Sequence, residues 1–203
     1  MRKKGIAGGI YVRYVKRIAD VVLCAMLVFL LLLPMLVIVV AIRADSEGRA
    51  IFKQRRRGRG GREFICYKFR TMYTDAPAYS PAASFEGYER YVTRVGGFLR
   101  KTSLDELPQL FNVLKGDMSL VGPRPLICEE EHIHEQRMRA GVYFLRPGIT
   151  GMAQVNGRKR LDDDEKLRND RYYLSNVRLG LDFRILCRTF SNAIKREELE
   201  NNR

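Results

Sequence analysis

The sequence has no tryptophan, only two histidines and only four cysteines among its 203 residues. The cysteines are scattered without any C-x-x-C spacing, so the sequence predicts no disulfide framework and suits a reducing cytosol. Both histidines, His132 and His134, lie in the acidic stretch 129–135, where we expect a solvated helix face instead of a metal site. No small-residue cleavage site follows the long apolar run, which disfavours a cleaved signal peptide.

The longest apolar stretch, residues 21–42, contains no charged residue. About twenty such residues are enough to cross roughly 30 Å of hydrocarbon as a helix. Lysines and arginines flank the stretch on both sides, and the positive-inside rule places both flanks on the cytoplasmic side. Pro34 removes one helical hydrogen bond near the middle and predicts a bend. We therefore expect a re-entrant membrane helix that turns near Pro34 and returns to the face from which it came.

The formal net charge of +14 requires an anionic partner or surface. Lipid headgroups and nucleic acid both attract basic residues. Much of the positive charge clusters beside the apolar stretch, which favours membrane lipids over nucleic acid. The length allows two units, and we assign residues 1–48 to the membrane helix with its flanks and residues 49–203 to a cytosolic domain on the membrane surface.

Two β-prone segments, 50–54 and 63–70, flank a glycine-rich turn at 58–61 and predict a hairpin. Alternation places Lys68 and Arg70 on one face of the second strand, where both can aim at a single anion. The predicted fold class is α+β and mainly helical. The remaining predictions are a long bent helix at 11–42, a loop at 73–87, and helices at 88–100, 104–116, 126–140, 162–175 and 179–194. The last helix is amphipathic, and it lies either on the membrane surface or on the domain.

Asp105 and Glu106 are adjacent acids at the predicted start of a helix, and two interpretations compete for them. Ser103 and Glu106 have the spacing of a capping box, and acids in a first turn complement the helix dipole. Alternatively, an ionised carboxylate surrounded by cations can attack phosphorus, and its neighbour can help to hold Mg²⁺. Cations that favour the second interpretation are close in the sequence or in the predicted hairpin: Lys68, Arg70, Arg100, Lys101 and Arg124.

Arg124 stands between two prolines in the segment 122–125. The prolines restrict the backbone, so the guanidinium loses little entropy when it grips a phosphate or a base edge. An ordinary exposed loop arginine has the same sequence signature. Arg146, followed by Pro-Gly, is a weaker signal of the same kind.

Four segments together resemble a known family: the proline-containing apolar run and the motifs at 67–72, 100–125 and 146–157. The chain is similar to the bacterial sugar transferases and, more narrowly, to the small monotopic phosphoglycosyl transferases. The resemblance extends from about residue 16 to about residue 190. Leu33 precedes Pro34, where many relatives have serine.

The resemblance implies transfer of a phosphosugar from a UDP-sugar to undecaprenyl phosphate at the cytoplasmic face of the bacterial inner membrane. In that family the aspartate corresponding to Asp105 is the nucleophile that displaces UMP. The Asp105–Glu106 pair is expected to need Mg²⁺, Arg124 to contact the nucleotide, and Arg100 to help hold phosphate. The complete set of residues that we expect to bind substrate is Lys68, Arg70, Arg100, Arg124 and Arg146.

Two alternatives remain open at this stage. A non-enzymatic, membrane-anchored module that binds anionic lipid or nucleic acid explains the charge and the apolar run, but not the acidic pair. A UDP-sugar glycosyltransferase that forms an ordinary glycosidic bond would release UDP instead of UMP. The segments 73–87 and 158–171 diverge from the family pattern and are candidates for sugar selection, although the sequence does not identify the sugar.

Overall fold

The computed structural model describes residues 9–76, 87–157 and 161–201, with side chains up to residue 193. The predicted fold class is confirmed, because this part of the chain is mainly helical with two small sheets. Its α-helices are α1 (Lys16–Asp45), α2 (Arg94–Thr102), α3 (Gln109–Lys115), α4 (Glu131–Arg139), α5 (Met152–Asn156), α6 (Asp163–Asn176) and α7 (Leu179–Asn201). Its strands are β1 (Ile51–Arg57), β2 (Glu63–Phe69), β3 (Ser119–Val121) and β4 (Gly148–Thr150).

Helix α1 carries the apolar run, and a π-helical turn at Tyr11–Val15 precedes it. The helix continues past Pro34 to Asp45, and its length and composition would allow it to cross a membrane. Most of its apolar surface is exposed, including Phe29 at 85%. The bounds of α1 confirm the predicted long apolar helix. Its turn within a membrane and the division of the chain into a membrane unit, 1–48, and a cytosolic domain, 49–203, stay predictions.

One face of α1 packs against the rest of the chain through two clusters. Near the start of the helix, Cys24 is fully buried in the cluster that also contains Val113 and Ile185. Near its end, Met35 and Ile42 join a second cluster around Phe69 and Leu99. Burying an aliphatic or aromatic side chain contributes about 1.5–3 kcal/mol. Helix α1 is therefore part of the core along most of its length.

The predicted hairpin is confirmed. Strands β1 and β2 pair in antiparallel register from Ile51 opposite Phe69 to Arg57 opposite Glu63. The connecting turn needs glycine, because Gly60 and Gly61 have positive φ angles of 70° and 74°.

Strands β3 and β4 form a parallel pair that the sequence did not predict. The two backbones approach so closely that a Cβ on Gly122 would lie 2.4 Å from the Arg146 carbonyl oxygen. Glycine is required at this contact because any side chain would collide with the neighbouring backbone. The pairing brings the Pro-Arg-Pro loop after β3 beside the Arg-Pro-Gly loop before β4.

Several predicted helices have different bounds. The helix expected at 104–116 begins as a 3₁₀ turn, Leu104–Glu106, and α3 starts only after Pro108, which has no backbone N–H to donate. A 3₁₀ turn, Tyr88–Tyr91, precedes α2, and α4 begins five residues later than predicted, at Glu131. Much of the expected loop at 73–87 lies outside the described residues.

The solvated helix face expected around the two histidines is confirmed for His132 and wrong for His134. His132 is exposed, but His134 is 2% exposed because α4 turns it inward with Ile133. Its Nε2 contacts the Ile127 carbonyl oxygen at 2.8 Å, and its Nδ1 contacts the Tyr143 hydroxyl.

Helix α7 buries one face against the rest of the domain and exposes the other. Leu181 and Ile185 are buried in the core, whereas Leu179, Phe183 and Phe190 are at least 60% exposed. The helix therefore packs on the domain and also offers an apolar outer face.

Candidate active site

Asp105 and Glu106 lie on the 3₁₀ turn between α2 and α3. The predicted capping box is not formed, because Ser103 makes no side-chain cap and has a left-handed φ of 59°. An N-cap residue normally has an extended backbone. A left-handed conformation costs a non-glycine residue roughly 1–2 kcal/mol, and such strain tends to occur beside functional sites. The capping explanation for the acidic pair is therefore removed.

Lys68 brings the two carboxylates together. Its Nζ lies 2.9 Å from Glu106 Oε1 and 3.6 Å from Asp105 Oδ2. The three side chains are 13–17% exposed, so solvent or a ligand reaches each of them. The Lys68 ion pairs therefore join both carboxylates to one cation in a partly dry site.

The leucines on either side of the acidic pair attach it to the membrane helix. Leu104 and Leu107 pack against the cluster that contains Met35 and Ile42 of α1. The apolar side of the turn thus faces α1, while its acidic side faces Lys68 of the hairpin. The site lies where the longest apolar helix meets the polar domain.

Arg100 approaches the pair from the last turn of α2. Its Nε donates to Thr71 Oγ1 at 2.8 Å, and its guanidinium lies 6.0 Å from the centre of the Tyr88 ring. Burial lowers the pKa of Arg100, while the negative charge of Asp105 acts in the opposite direction. Arg100 therefore adds a second cation to the surroundings of Asp105.

Arg56 is a site residue that the sequence analysis missed. Its guanidinium donates to the Pro125 carbonyl oxygen and, at 2.7 Å, to Gln54 Oε1. Burial lowers the pKa of Arg56; the charge of Arg124 also lowers it, and that of Glu106 raises it. Arg56 thus connects the Pro-Arg-Pro loop electrostatically to the acidic pair. Its position in a run of three arginines on β1 hid it, because such a run resembles a solvated strand face.

A buried ion pair supports the other side of the Pro-Arg-Pro loop. Arg137 Nη1 donates to the Arg124 carbonyl oxygen at 2.7 Å, and Arg137 Nη2 lies 2.6 Å from Asp170 Oδ2. Both side chains of this ion pair are 2% exposed. Burial raises the pKa of Asp170, and the Arg137 charge opposes that shift. No sequence signal points to this pair, because its members lie 33 positions apart on different helices.

Arg70 and Arg146 are not brought to the acidic pair. Arg70 is 7% exposed and donates to the carbonyl oxygens of Ser46, at 2.6 Å, and Glu47, so it caps the end of α1. Lys68 and Arg70 therefore do not aim at one anion. Arg146 Nε donates to the Gly116 carbonyl oxygen at 2.9 Å.

The acidic pair fits Mg²⁺ by the chemistry of its donors. Mg²⁺ takes oxygen ligands and usually binds through one or two carboxylates, substrate phosphates and water. Asp105 and Glu106 supply two carboxylates already drawn to one cation. In the described ranges no group of three or more His, Cys, Asp or Glu side chains is arranged to hold a metal. Substrate phosphate oxygens and water would supply the remaining ligands.

Comparisons with known proteins agree with the resemblance seen in the sequence. The profile described as bacterial sugar transferase matches residues 11–196. An undecaprenyl-phosphate galactose phosphotransferase of Salmonella typhimurium is 39% identical over 201 residues, covering 91% of this chain and 41% of that protein. A UDP-glucose:undecaprenyl-phosphate glucose-1-phosphate transferase of Caulobacter vibrioides is 41% identical over 181 residues, covering 86% of this chain and 67% of that protein.

A third relative is similar in length. An uncharacterized sugar transferase of Bacillus subtilis is 36% identical over 185 residues, covering 91% of this chain and 90% of that protein. The chain spans only about two fifths of the Salmonella relative. The profile match nevertheless covers most of this chain, including the acidic pair and both proline loops. The chain belongs to the bacterial sugar transferase family.

Proposed function

We propose that this chain transfers a sugar phosphate from a UDP-sugar to undecaprenyl phosphate, through a covalent intermediate on Asp105, and releases UMP. The observation that carries the proposal is the acidic pair, held by Lys68 on one side and packed against α1 on the other. A water-soluble donor and a lipid-borne acceptor both have to reach one carboxylate, and this position suits both. Relatives whose names specify undecaprenyl phosphate as substrate support the choice of acceptor.

In the first step, an Asp105 carboxylate oxygen attacks the phosphorus that bears the sugar. The bond from that phosphorus to the bridging oxygen breaks, and UMP leaves with the bridging oxygen. Two anions must approach each other, so neighbouring cations have to offset the accumulating negative charge. Lys68 lies 3.6 Å from Asp105 Oδ2, and Arg100 interacts electrostatically with Asp105, so both can contribute.

In the second step, an oxygen of undecaprenyl phosphate attacks the phosphorus of the intermediate. The bond to Asp105 breaks, which regenerates the carboxylate and forms a polyprenyl diphosphate sugar. Two successive displacements allow one cavity to take the soluble donor and the lipid acceptor in turn.

Other side chains of the site have roles in binding. Asp105 and Glu106 would hold Mg²⁺, which neutralises phosphate charge when it is bound. Arg124 would grip the nucleotide, with its backbone positioned by Arg56 through Pro125 and by Arg137. Under this proposal membrane lipid, not nucleic acid, is the partner of the basic surface.

We further infer that α1 enters and leaves the cytoplasmic face of the bacterial inner membrane. Both ends of α1 contact the same folded unit. At the start, Arg17 donates to the Val113 carbonyl oxygen at 2.6 Å; at the end, Asp45 accepts from the Val95 amide at 2.9 Å. A helix that crossed the bilayer would place these two contacts, both made with one folded unit, on opposite sides of about 30 Å of hydrocarbon.

The nucleotide that is released tests the reaction. Purified protein is incubated with Mg²⁺, undecaprenyl phosphate and a panel of UDP-sugars, and the nucleotide product is identified. We expect UMP from at least one donor, which also identifies the sugar. Release of UDP would indicate an ordinary glycosyltransferase, and absence of product across the panel would favour a non-enzymatic binder.

The covalent step has its own test. Intact mass after incubation with the donor alone should increase by one phosphosugar, and Asp105→Asn should abolish the increase. Glu106→Gln leaves the proposed nucleophile in place, so it shows whether the adduct depends on Asp105 itself or on either carboxylate of the pair. An adduct that persists in Asp105→Asn would exclude Asp105 as the nucleophile.

The membrane topology is tested by labelling single cysteines in sealed vesicles. Cys128 and Cys187, the less buried native cysteines, are first replaced by serine. Arg13→Cys and Arg55→Cys then place one exposed thiol before α1 and one after it. We expect an impermeant reagent to label both from the same side. Labelling from opposite sides would establish a spanning helix.

A further inference from the structure

A pocket lined by several basic residues lies at the start of α1, apart from the acidic pair. Its wall comes from the beginning of α1, from the hairpin turn, from β3 and from the segment before β4. We call it the Arg146 pocket, and it is lined by Val12, Lys16, Arg17, Asp20, Arg59, Ser119, Val121, Phe144, Leu145, Arg146 and Tyr173. None of these residues belongs to the Lys68 ion pairs. Arg17 lies in this pocket, and Ile42 lies in the cluster that supports the acidic pair; the two are separated by about 37 Å along α1.

Two of its arginines are held in place by backbone carbonyl groups. Arg17 donates to the Val113 and Leu114 carbonyl oxygens at 2.6 and 3.0 Å. Arg146 uses only its Nε, which donates to the Gly116 carbonyl oxygen. These contacts cap the end of α3, and they also position both guanidinium groups at the pocket. The terminal nitrogens of Arg146 make no hydrogen bond to the described part of the chain, so they are available to a ligand.

The charges in the pocket are unbalanced. Lys16 is neutralised by Asp182, whose carboxylate oxygen lies 2.7 Å from its Nζ. Asp20 is the only acid in the lining, and it already accepts from the Ser119 hydroxyl at 2.7 Å. Three guanidinium groups therefore face one carboxylate. Burial lowers the pKa of Arg146, and the nearby charges of Arg59 and Arg17 lower it further. An anion in the pocket would relieve this repulsion.

The surroundings of the pocket are apolar and exposed. Phe144, which lines it, is 68% exposed, and the exposed apolar face of α1 begins at Ile18, one residue after Arg17. A soluble anion needs no such surface, whereas a lipid presents a phosphate and an acyl chain together. Exposed apolar side chains beside fixed cations are typical of the membrane interface.

We propose that the guanidinium groups at the mouth of the Arg146 pocket bind the headgroup phosphate of an anionic membrane phospholipid, with the lipid chain along Phe144 and α1. This second anion site anchors the start of α1 at the membrane surface. The inference does not depend on the proposed transfer reaction, because no residue of the acidic pair takes part.

The experiment measures lipid binding to the full chain in detergent by native mass spectrometry. The probes are dihexanoyl phosphatidylglycerol, dihexanoyl phosphatidylcholine and inorganic phosphate. We expect phosphatidylglycerol to bind with preference over phosphatidylcholine. Because each basic residue near an anionic surface adds about 1 kcal/mol, Arg59→Gln and Arg146→Gln should each weaken binding about fivefold.

Matched variants separate the pocket from general charge. Arg55→Gln removes an exposed cation from the same hairpin and should change binding less than Arg59→Gln. Arg59 is exposed and caps no helix, so its variant remains informative if Arg146→Gln weakens the fold. Equal effects of Arg55→Gln and Arg59→Gln would overturn the assignment of lipid binding to the Arg146 pocket. Displacement of the lipid by equimolar phosphate would overturn the phospholipid assignment.

Discussion

Two groups of charged side chains, one in the candidate active site and one beside it, differ in how far they are buried. Lys68 contacts both Asp105 and Glu106, and all three side chains are partly exposed. Arg137 pairs with Asp170, and both side chains are 2% exposed. Because solvent reaches the first group, a cation and a phosphate can reach it as well. The second group is closed to ligands, and it fixes the backbone of the Pro-Arg-Pro loop. Partial exposure allows chemistry, whereas complete burial supports the architecture.

The largest difference should appear when Asp105 is neutralised. We expect Asp105→Asn to reduce turnover by roughly 10⁴-fold or more, the scale of losing a catalytic group that acts in concert with others. Thermal unfolding in detergent should change little, because the side chain is partly exposed. Glu135→Gln, at an exposed carboxylate paired with Arg139, is the matched control and should retain normal turnover. Equal turnover of the two variants would contradict the division of roles.

Asp170→Asn should mainly lower stability, which is the opposite of what we expect for Asp105→Asn. The change leaves the Arg137 charge buried without a counterion, which costs about 3–5 kcal/mol of unfolding free energy. We also expect a higher KM for the UDP-sugar, because Arg137 then holds the Arg124 backbone less firmly. The measurements are denaturant unfolding in detergent and the KM.

The double variant Arg137→Met/Asp170→Leu sharpens this prediction. Replacing both partners by apolar side chains should restore much of the lost stability. It does not restore the hydrogen bond to the Arg124 carbonyl oxygen, so the KM should stay raised. Recovery of both stability and KM would mean that the ion pair has no role in positioning Arg124.

Lys68→Gln should have an intermediate effect. The change removes the cation that both carboxylates share, and we expect turnover to fall about 10²-fold. Lys53→Gln, on the exposed face of the neighbouring strand, is the control. A turnover that depends equally on both lysines would show that overall charge, not the Lys68 ion pairs, matters.

The smallest effect concerns pH and stability. Burial lowers the pKa of His134, and the hydrogen bond to Ile127 opposes that shift. The charges of Arg57 and Arg137 lower this pKa as well, and Glu130 raises it. Below the unfolded value of about 6.5 the unfolded chain binds more protons, so the unfolding free energy should fall as pH falls. His134→Gln should flatten this dependence, whereas His132→Gln should not. An unchanged slope in His134→Gln would exclude His134 as its source.

Much of the local structure was predictable because its signals are short-range. Glycines at 58–61 between two β-prone segments predicted the hairpin, and an uncharged stretch predicted α1. The start of α3 was mispredicted because the apolar spacing of Leu104 and Leu107 continues across Pro108. Spacing shows which side chains are buried, but not where backbone hydrogen bonding begins.

The candidate site was predicted less evenly. Asp105 and Glu106, together with Lys68, were named from their residue types and motif, and the structure brings these three together. Arg56 and Arg137 were missed, and Arg70 was expected at the substrate although it caps α1. A guanidinium has the same appearance in a sequence whether it faces a ligand or a carbonyl group. Its partner is decided by chain segments that lie far apart in the sequence.

From the sequence alone we could predict the apolar helix, the hairpin, the two proline loops and the acidic pair, because local periodicity, backbone restriction and residue chemistry specify each of them. Which cations meet which anions depends on how the whole chain folds. The tertiary structure assigned Lys68 to the acidic pair, Arg137 to Asp170, and Arg17 and Arg146 to a separate pocket. The physical reason is the short range of these contacts: an ion pair or a hydrogen bond requires atoms within about 4 Å, and only the folded chain brings distant residues that close.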